Sequence, residues 1–429
     1  MMYLIQYFLL FFVASASASV DVSPPAREGA FAPGLFRDDA GVVLVWAEPG
    51  HTTQEVNVGS SSEIWAIRGA RFENNVWSEP FTVKQATRES LFLNWADVPA
   101  VARNKEKQII VTWLPMVGQG TYAYHIFAAS SKDDGKTWQL LGPIHDDHSL
   151  TEHGFVSLVA QSNDRVRGFW LDGREMAHSK ATDHAGEHDH GAGDMTLRTA
   201  LLPEEGQGSS ESILLDERVC ECCGTDAVST PAGSVVVYRD RSQGEIRDIC
   251  FVYQDEKTQS GWSQPAPVHV DGWEIAACPV NGPAIDAAAD DLVVAWYSGA
   301  EHRPGVHISF GTTSSFKEPI SVDTGSLGRV DVVMLDGGDE AIVSSIVQVI
   351  GSGQLQLHRV GVDGAVGKPY HVAQVDGGRP SGFPKICRLG DKELFVVWTK
   401  PAKKKGGPLG LGAARIPLAD IPPVSSGQS

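Results

Sequence analysis

The chain has no basic surplus. Its 429 residues carry 53 Asp and Glu against 35 Lys and Arg, a formal net charge of −18. Nucleic acid selects a basic face, so it is excluded as a partner, and general adhesion to anionic membranes is disfavoured for the same reason. The one basic run, Lys403-Lys404-Lys405, reads as a solvated hairpin tip. Long apolar runs are also missing. Beyond the N-terminus no segment approaches the roughly 18 apolar residues of a membrane span. No stretch shows the 3.6-residue apolar period of an amphipathic helix. Cysteine is scarce, with six in the whole chain, and it is not spread like a disulfide framework. Three cysteines crowd together as Cys220-Glu221-Cys222-Cys223, and Cys250, Cys278 and Cys387 stand apart.

The first residues read as an export signal. Leu4 to Val13 is apolar, and Ala14, Ala16 and Ala18 supply small residues for cleavage. No Lys or Arg precedes the apolar run, and no Cys follows the cleavage zone to carry a lipid. The expectation is a signal peptide over 1–19, a periplasmic or secreted protein, and one domain over 20–429 with a His-rich insertion near 177–194. Export permits disulfides.

Three registers repeat along the chain. The first is a β-type run, in most units closed by an aromatic: Val42 to Trp46, Ile109 to Trp113, Val166 to Trp170, Val235 to Tyr238, Leu292 to Trp296 and Leu394 to Trp398, with Ala341 to Ile346 filling the one gap. The second follows each run. An apolar or aromatic residue stands three before a proline in Trp77-Ser-Glu-Pro80, Trp262-Ser-Gln-Pro265, Phe316-Lys-Glu-Pro319 and Val366-Gly-Lys-Pro369. Proline is tolerated there if it opens an outermost strand with one unpaired edge. The third precedes each run with small and apolar residues, suited to a crowded innermost strand. Units of about 50–70 residues suit four-stranded blades. The pattern predicts an all-β chain, a β-propeller of four-stranded antiparallel blades, six or seven in number; counting gives seven units.

The sharpest motif is Ser131-Lys-Asp133-Asp-Gly135-Lys-Thr137-Trp138. The Asp side chain and a positive-φ Gly make a tight turn, with Asp bonding N–H groups two residues on, and Trp138 plugs its underside. With the repeat, this motif resembles the Asp-box of the sialidase superfamily, also called the BNR-repeat family. The resemblance implies a β-propeller with glycan-directed function, of glycoside hydrolase or glycan-binding type. It further implies an arginine triad that clamps a carboxylate, a Tyr nucleophile with a Glu partner, and an Asp acid/base. The family's Arg-Ile-Pro motif is absent, and Pro33-Gly-Leu-Phe-Arg37 stands in its place. The candidate catalytic set is therefore Tyr238, Arg239, Arg241, Glu245 and Arg247, with Asp97 as acid and Arg329 and Arg379 as further clamp candidates; Arg37 is the residue nearest to the missing motif's arginine. A charged hairpin of cross-strand pairs is the plainer reading of residues 238–248.

The cysteines point elsewhere. In a propeller the starts of the inner strands converge on one mouth of the central channel. Cys220, Cys222 and Cys223 precede one inner strand, Cys278 the next, and His153 another. Thiolate and imidazole suit copper or zinc. A disulfide between neighbouring blades, or redox-active thiols, are the alternatives for the same residues. His184, His188 and His190 in the insertion form a second, weaker chelating tract. A glycan or another small polar ligand is the expected partner otherwise.

Overall fold

The computed structural model describes residues 19–50, 63–161, 163–178, 193–255 and 257–424. Residues 1–18, within the stretch read as an export signal, and the His184, His188 and His190 tract lie outside the described residues.

Among the described residues, seven antiparallel sheets are arranged as blades, each written here from its innermost strand outward. Blade one is Phe31–Asp38, Gly41–Pro49, Ile64–Glu73 and Phe81–Thr87. Blade two is Val101–Arg103, Ile109–Trp113, Phe127–Ser131 and Gln139–Pro143. Blade three is His153–Ala160, Val166–Asp172, Thr196–Leu201 and Ile213–Asp216. Blade four is Asp226–Thr230, Gly233–Arg239, Ile249–Tyr253 and Ala266–Pro267. Blade five is Ala284–Ala288, Asp291–Ser298, Gly305–Thr312 and Ile320–Asp323. Blade six is Asp331–Met334, Glu340–Val349, Ser352–Gly361 and Tyr370–Val375. Blade seven is Lys385–Leu389, Glu393–Lys400, Gly410–Pro417 and, from the other end of the chain, Val20–Asp21. The repeat count of seven is the blade count.

The period of two explains how the blades pack. In blade four Val235, Val237, Ile249 and Phe251 face blade five, against Leu292, Val294 and Trp296. Their neighbours Val236, Tyr238, Cys250 and Val252 face blade three, against Phe169, Leu171 and Leu197. Alternate side chains of one strand thus join two different cores. Each second strand is covered on both faces, which is why it reads as a continuous apolar run. Burying each such side chain contributes roughly 1.5–3 kcal/mol.

The tryptophans that close these runs need a partner for the indole N–H. Trp46 donates to Glu48 at 2.7 Å, Trp170 to Asp172 at 2.8 Å and Trp296 to Asp271 at 2.7 Å, and all three carboxylates are buried. Pro80, Pro265, Pro319 and Pro369 stand just before outermost strands, as their register predicts.

Inner strands are stapled across blades by carboxylates. Asp97 accepts the Phe155 N–H at 2.9 Å, Asp226 that of Ile285 at 2.9 Å, Asp286 that of Met334 at 2.7 Å, and Asp331 that of Ile386 at 2.7 Å. Between blades three and four Ser157 and Thr225 share a hydroxyl hydrogen bond of 2.6 Å. These groups line a central channel with two adjoining cavities of about 510 Å³ and about 450 Å³.

The Ser131–Trp138 hairpin lies on the outer side of blade two. Its bonding differs from the expected two-residue step. Asp133 Oδ1 accepts the N–H of Thr137, four residues on, at 2.8 Å, and Ser131 Oγ accepts that of Gly135 at 2.8 Å. Trp138 donates its indole N–H to the Gly135 carbonyl at 3.1 Å and packs on Phe81 of blade one. The hairpin therefore also joins two blades. Gly135 has φ +88°, and a Cβ there would lie 2.5 Å from Phe81 Cδ1. Gly135→Ala is expected to destabilise the protein by about 2 kcal/mol, from the backbone cost plus the clash. A thermal melt followed by circular dichroism checks this; an unchanged midpoint would show that blade one yields freely.

Candidate metal centre

The starts of the inner strands ring one mouth of the channel, and the backbone there is strained. Ala32, Phe155, Val280 and Arg329 all take positive φ, between 47° and 57°. For a β-branched residue such as Val280 this conformation is costly, and such strain gathers at functional sites.

At this mouth Cys220, Cys222 and Cys223 come together, their sulfurs all within 4.8 Å of one another. Cys220 Sγ lies 3.8 Å from Cys222 Sγ and 2.8 Å from Cys223 Sγ. The Cys222 thiol also reaches Cys278, which precedes the inner strand of blade five. A regular strand sends neighbouring side chains to opposite faces. Here residues 221–225 form an irregular turn before Asp226, so Cys222 and Cys223 serve one cluster. Cys220 and Cys223 are buried, and Cys222 is half-buried. Tetrahedral zinc–sulfur bonds of about 2.3 Å set sulfurs about 3.8 Å apart. The Cys220–Cys222 pair has that spacing, while Cys220 and Cys223 are closer than two ligands of one ion and farther apart than disulfide-bonded sulfurs.

An ion-pair network backs the sulfurs. Arg247 Nη1 donates to Cys220 Sγ at 3.3 Å and to Glu221 Oε2 at 3.0 Å, and its Nη2 donates to Glu245 Oε2 at 2.9 Å. Arg241 donates to Glu245 at 2.8 Å and also pairs with Glu221. Burial works against charge on Cys220. Contacts with the Cys222 and Cys223 sulfurs, with the Arg247 guanidinium, nevertheless hold its thiol well below the usual range. Burial pushes the Cys223 thiol up. Within the cluster, ionisation is thus favoured at Cys220 and opposed at Cys223.

The other predicted catalytic residues divide. Tyr238 is buried and donates its hydroxyl to Asp216, and burial raises its pKa, so it is not poised as a nucleophile. Arg239 is also buried. It donates to the carbonyls of Asn281 at 2.9 Å, Arg247 at 2.6 Å and Tyr297 at 2.7 Å, and lies over Trp273 at 4.8 Å. All three of its nitrogens are spent on bracing blades four and five. Arg329 likewise bonds Gly378 and Ser381 and stacks on Trp95. Arg379 is exposed on a separate turn, and Arg37 lines the channel. Arg241, Glu245 and Arg247 do come together, around Glu221 and the sulfurs.

Asp97 lies at the head of the channel, 3% exposed. Its Oδ2 accepts the Tyr124 hydroxyl at 2.9 Å, and that hydroxyl also lies 2.7 Å from Glu152. Burial raises its pKa to about 7. Both of its oxygens are engaged within the protein.

His153 is not at the sulfurs. The structure groups it with His125 and His145, their ligand nitrogens within 4.8 Å. The placement of His153 beside the cysteines is corrected accordingly: its ring enters between blades two and three and stacks on His145 at 4.2 Å. Burial lowers the His145 pKa to about 3 and also lowers that of His125. His125 and His145 escape a sequence reading because each stands alone, with no ligand spacing around it. Glu221 escapes it too, although it sits inside the cysteine run.

No protein-family model matches the chain, and no curated protein matches it. Similarity to solved structures is extensive but low in identity. An α-L-arabinofuranosidase of Fusarium graminearum, in complex with an iminosugar inhibitor, is 13% identical, with 94% of this chain and 99% of that chain covered and a TM-score of 0.51. An α-L-arabinanase of Penicillium chrysogenum, complexed with arabinobiose, is 12% identical, with 94% and 99% covered and a TM-score of 0.50. A sialidase of Trypanosoma rangeli is 11% identical, with 81% of this chain and 57% of that chain covered and a TM-score of 0.45. At these identities the likeness is one of fold, and the fold shared is the β-propeller.

Proposed function

We propose that this is an exported propeller that binds a thiophilic metal: the sulfurs of Cys220, Cys222 and Cys223, joined by Cys278, hold one copper(I) or zinc ion at the channel mouth. The observation that carries this reading is the convergence of three sulfurs within 4.8 Å, backed by Arg247. Thiolate ligands select copper(I) and zinc. The guanidinium offsets the negative charge that several thiolates bring to one ion, and its N–H···S bond orients the Cys220 ligand. The apolar N-terminal segment supports a location outside the cytoplasm.

Sialidase-type turnover has less support. The carboxylates that face the channel are engaged by backbone N–H groups, and the Arg239 and Arg329 guanidinium groups are spent on backbone and side-chain oxygens. A glycan-binding role is the second reading. It is favoured by the channel itself, about 510 Å³ with Arg37 and Lys385 beside its carboxylates, and by the arabinobiose and iminosugar held by two of the propellers above.

The test uses untagged protein. Copper and zinc are measured by mass spectrometry, and thiols are counted before and after chelation. About one ion per chain is expected, lost in Cys222→Ser, with cysteines that react only once the metal is removed. A metal-free protein that gains two thiols on reduction would replace the metal by a Cys220–Cys223 disulfide and overturn the reading.

A further inference from the structure

A different cluster carries a second binding site. His125 precedes the third strand of blade two, His145 follows its fourth, and His153 opens the inner strand of blade three. All three side chains are buried, with His145 and His153 at 0% exposure. The loop over 147–151 orients every ring through alternate carbonyls. His145 Nδ1 meets the Asp147 carbonyl at 3.1 Å, His125 Nε2 that of Ser149 at 2.8 Å, and His153 Nδ1 that of Thr151 at 3.2 Å. A carbonyl only accepts, so each of these nitrogens bears the proton. The opposite nitrogens, His125 Nδ1, His145 Nε2 and His153 Nε2, carry a lone pair wherever the ring is neutral. The Ile126 N–H makes a long contact with His145 Nε2, 3.4 Å, which agrees with that nitrogen being the unprotonated one.

Metal-ligating histidines show this arrangement: one nitrogen donates to a carbonyl and the other is fixed toward the ion. His153 Nε2 supplies an independent sign. It is fully buried and lies 3.1 Å from Asp147 Oδ2, a contact that holds the Asp147 carboxyl well below the usual range, and 3.5 Å from Asp172 Oδ1. Two carboxylates facing one buried ring nitrogen call for positive charge between them, supplied by an imidazolium proton or by a metal ion. Asp172 is already spent on Trp170 and Arg174. Asp147 Oδ2 accepts the N–H and hydroxyl of Ser149 and meets His153 Nε2, at the surface end of the cluster.

We propose that His125, His145 and His153, with Asp147 as fourth ligand, form a metal site for a borderline divalent cation, zinc above all. Three imidazoles and one carboxylate suit tetrahedral zinc, whereas the sulfur cluster suits softer ions. The site is independent of the sulfurs in residues and in donor chemistry, so either stands if the other fails.

Cobalt(II) and zinc(II) titrations test it. The protein carries Ala at His184, His188 and His190, so that the insertion adds no ligand. Cobalt bound by nitrogen and oxygen gives visible d–d bands without the near-ultraviolet sulfur-to-cobalt transition that the cysteine site would give. The expected result is one such equivalent, displaced by zinc. His145→Phe keeps a ring against His153 and is expected to abolish it, and Asp147→Asn to weaken binding at least about tenfold. Near-ultraviolet circular dichroism establishes that each variant is folded. If His145→Phe fails to fold, Asp147→Asn alone decides. Absence of the sulfur-free equivalent, or its survival in folded His145→Phe, would overturn the proposal; in that case the His153 nitrogen is an imidazolium paired with Asp147.

Discussion

Arg247→Ala is expected to lower folding stability by about 3–5 kcal/mol, because it leaves charge behind in the interior. Glu221 is 3% exposed, and Arg247 supplies one of its two partners. The Cys220 sulfur loses its neighbouring cation in the same step. Urea unfolding should show a lower midpoint with an unchanged slope. The double variant Glu221→Gln, Arg247→Met removes both charges and should recover part of the loss. A second readout separates structure from chemistry. The pH at which iodoacetamide alkylates Cys220 should move upward in metal-free Arg247→Ala, since the thiolate has lost its stabilising partner. Equal stability and equal alkylation profiles would mean that solvent already reaches Glu221 and that the sulfurs owe nothing to the guanidinium.

The second large effect is in pH dependence. Asp97 rises from 3.8 to about 7 on folding, chiefly through burial, which corresponds to on the order of 4 kcal/mol. The folded state therefore binds a proton that the unfolded state has released, across the interval between those two values. Stability must fall as pH rises through that interval and level off above about 7. Asp97→Asn removes the titration. Its carbonyl still accepts the Phe155 N–H, and its amide donates to the Tyr124 oxygen, leaving the Tyr124 hydroxyl proton for Glu152. Between about pH 4.5 and about pH 8 the variant should gain on the parent by most of that energy. Denaturant unfolding at both values measures it. A constant difference between the two proteins would show that Asp97 stays ionised throughout.

The blades are legible in the sequence because their signals are local. The period of two, the aromatic that closes most second strands and the proline before several outer strands all lie within one unit, and together they give seven. The cysteine cluster is legible in part. Cys220, Cys222 and Cys223 are adjacent in sequence, and the equivalence of inner-strand starts places Cys278. What stays hidden depends on ring geometry. Arg239 looks like an anion ligand beside Tyr238, yet it reaches a carbonyl 58 residues away, at Tyr297. Register alone assigns His153 to the sulfurs. Its real neighbours, His125 and His145, are carried to it by a strand pair and a loop whose lengths no motif encodes. The Ser131–Trp138 hairpin announces itself, but its contact with Phe81 does not, because Phe81 belongs to the preceding blade and meets Trp138 only once the two blades have stacked.

The outermost strand of blade seven belongs to the other end of the polypeptide, where Val20 and Asp21 pair with Arg415 and Ala414. During synthesis this clasp cannot fasten until nearly the last strand has left the ribosome. Six blades can stack as they emerge, but the circle stays open, and its final sheet incomplete, until Gly410–Pro417 follows. A chain crossing a membrane in the extended state would meet the same constraint on the far side.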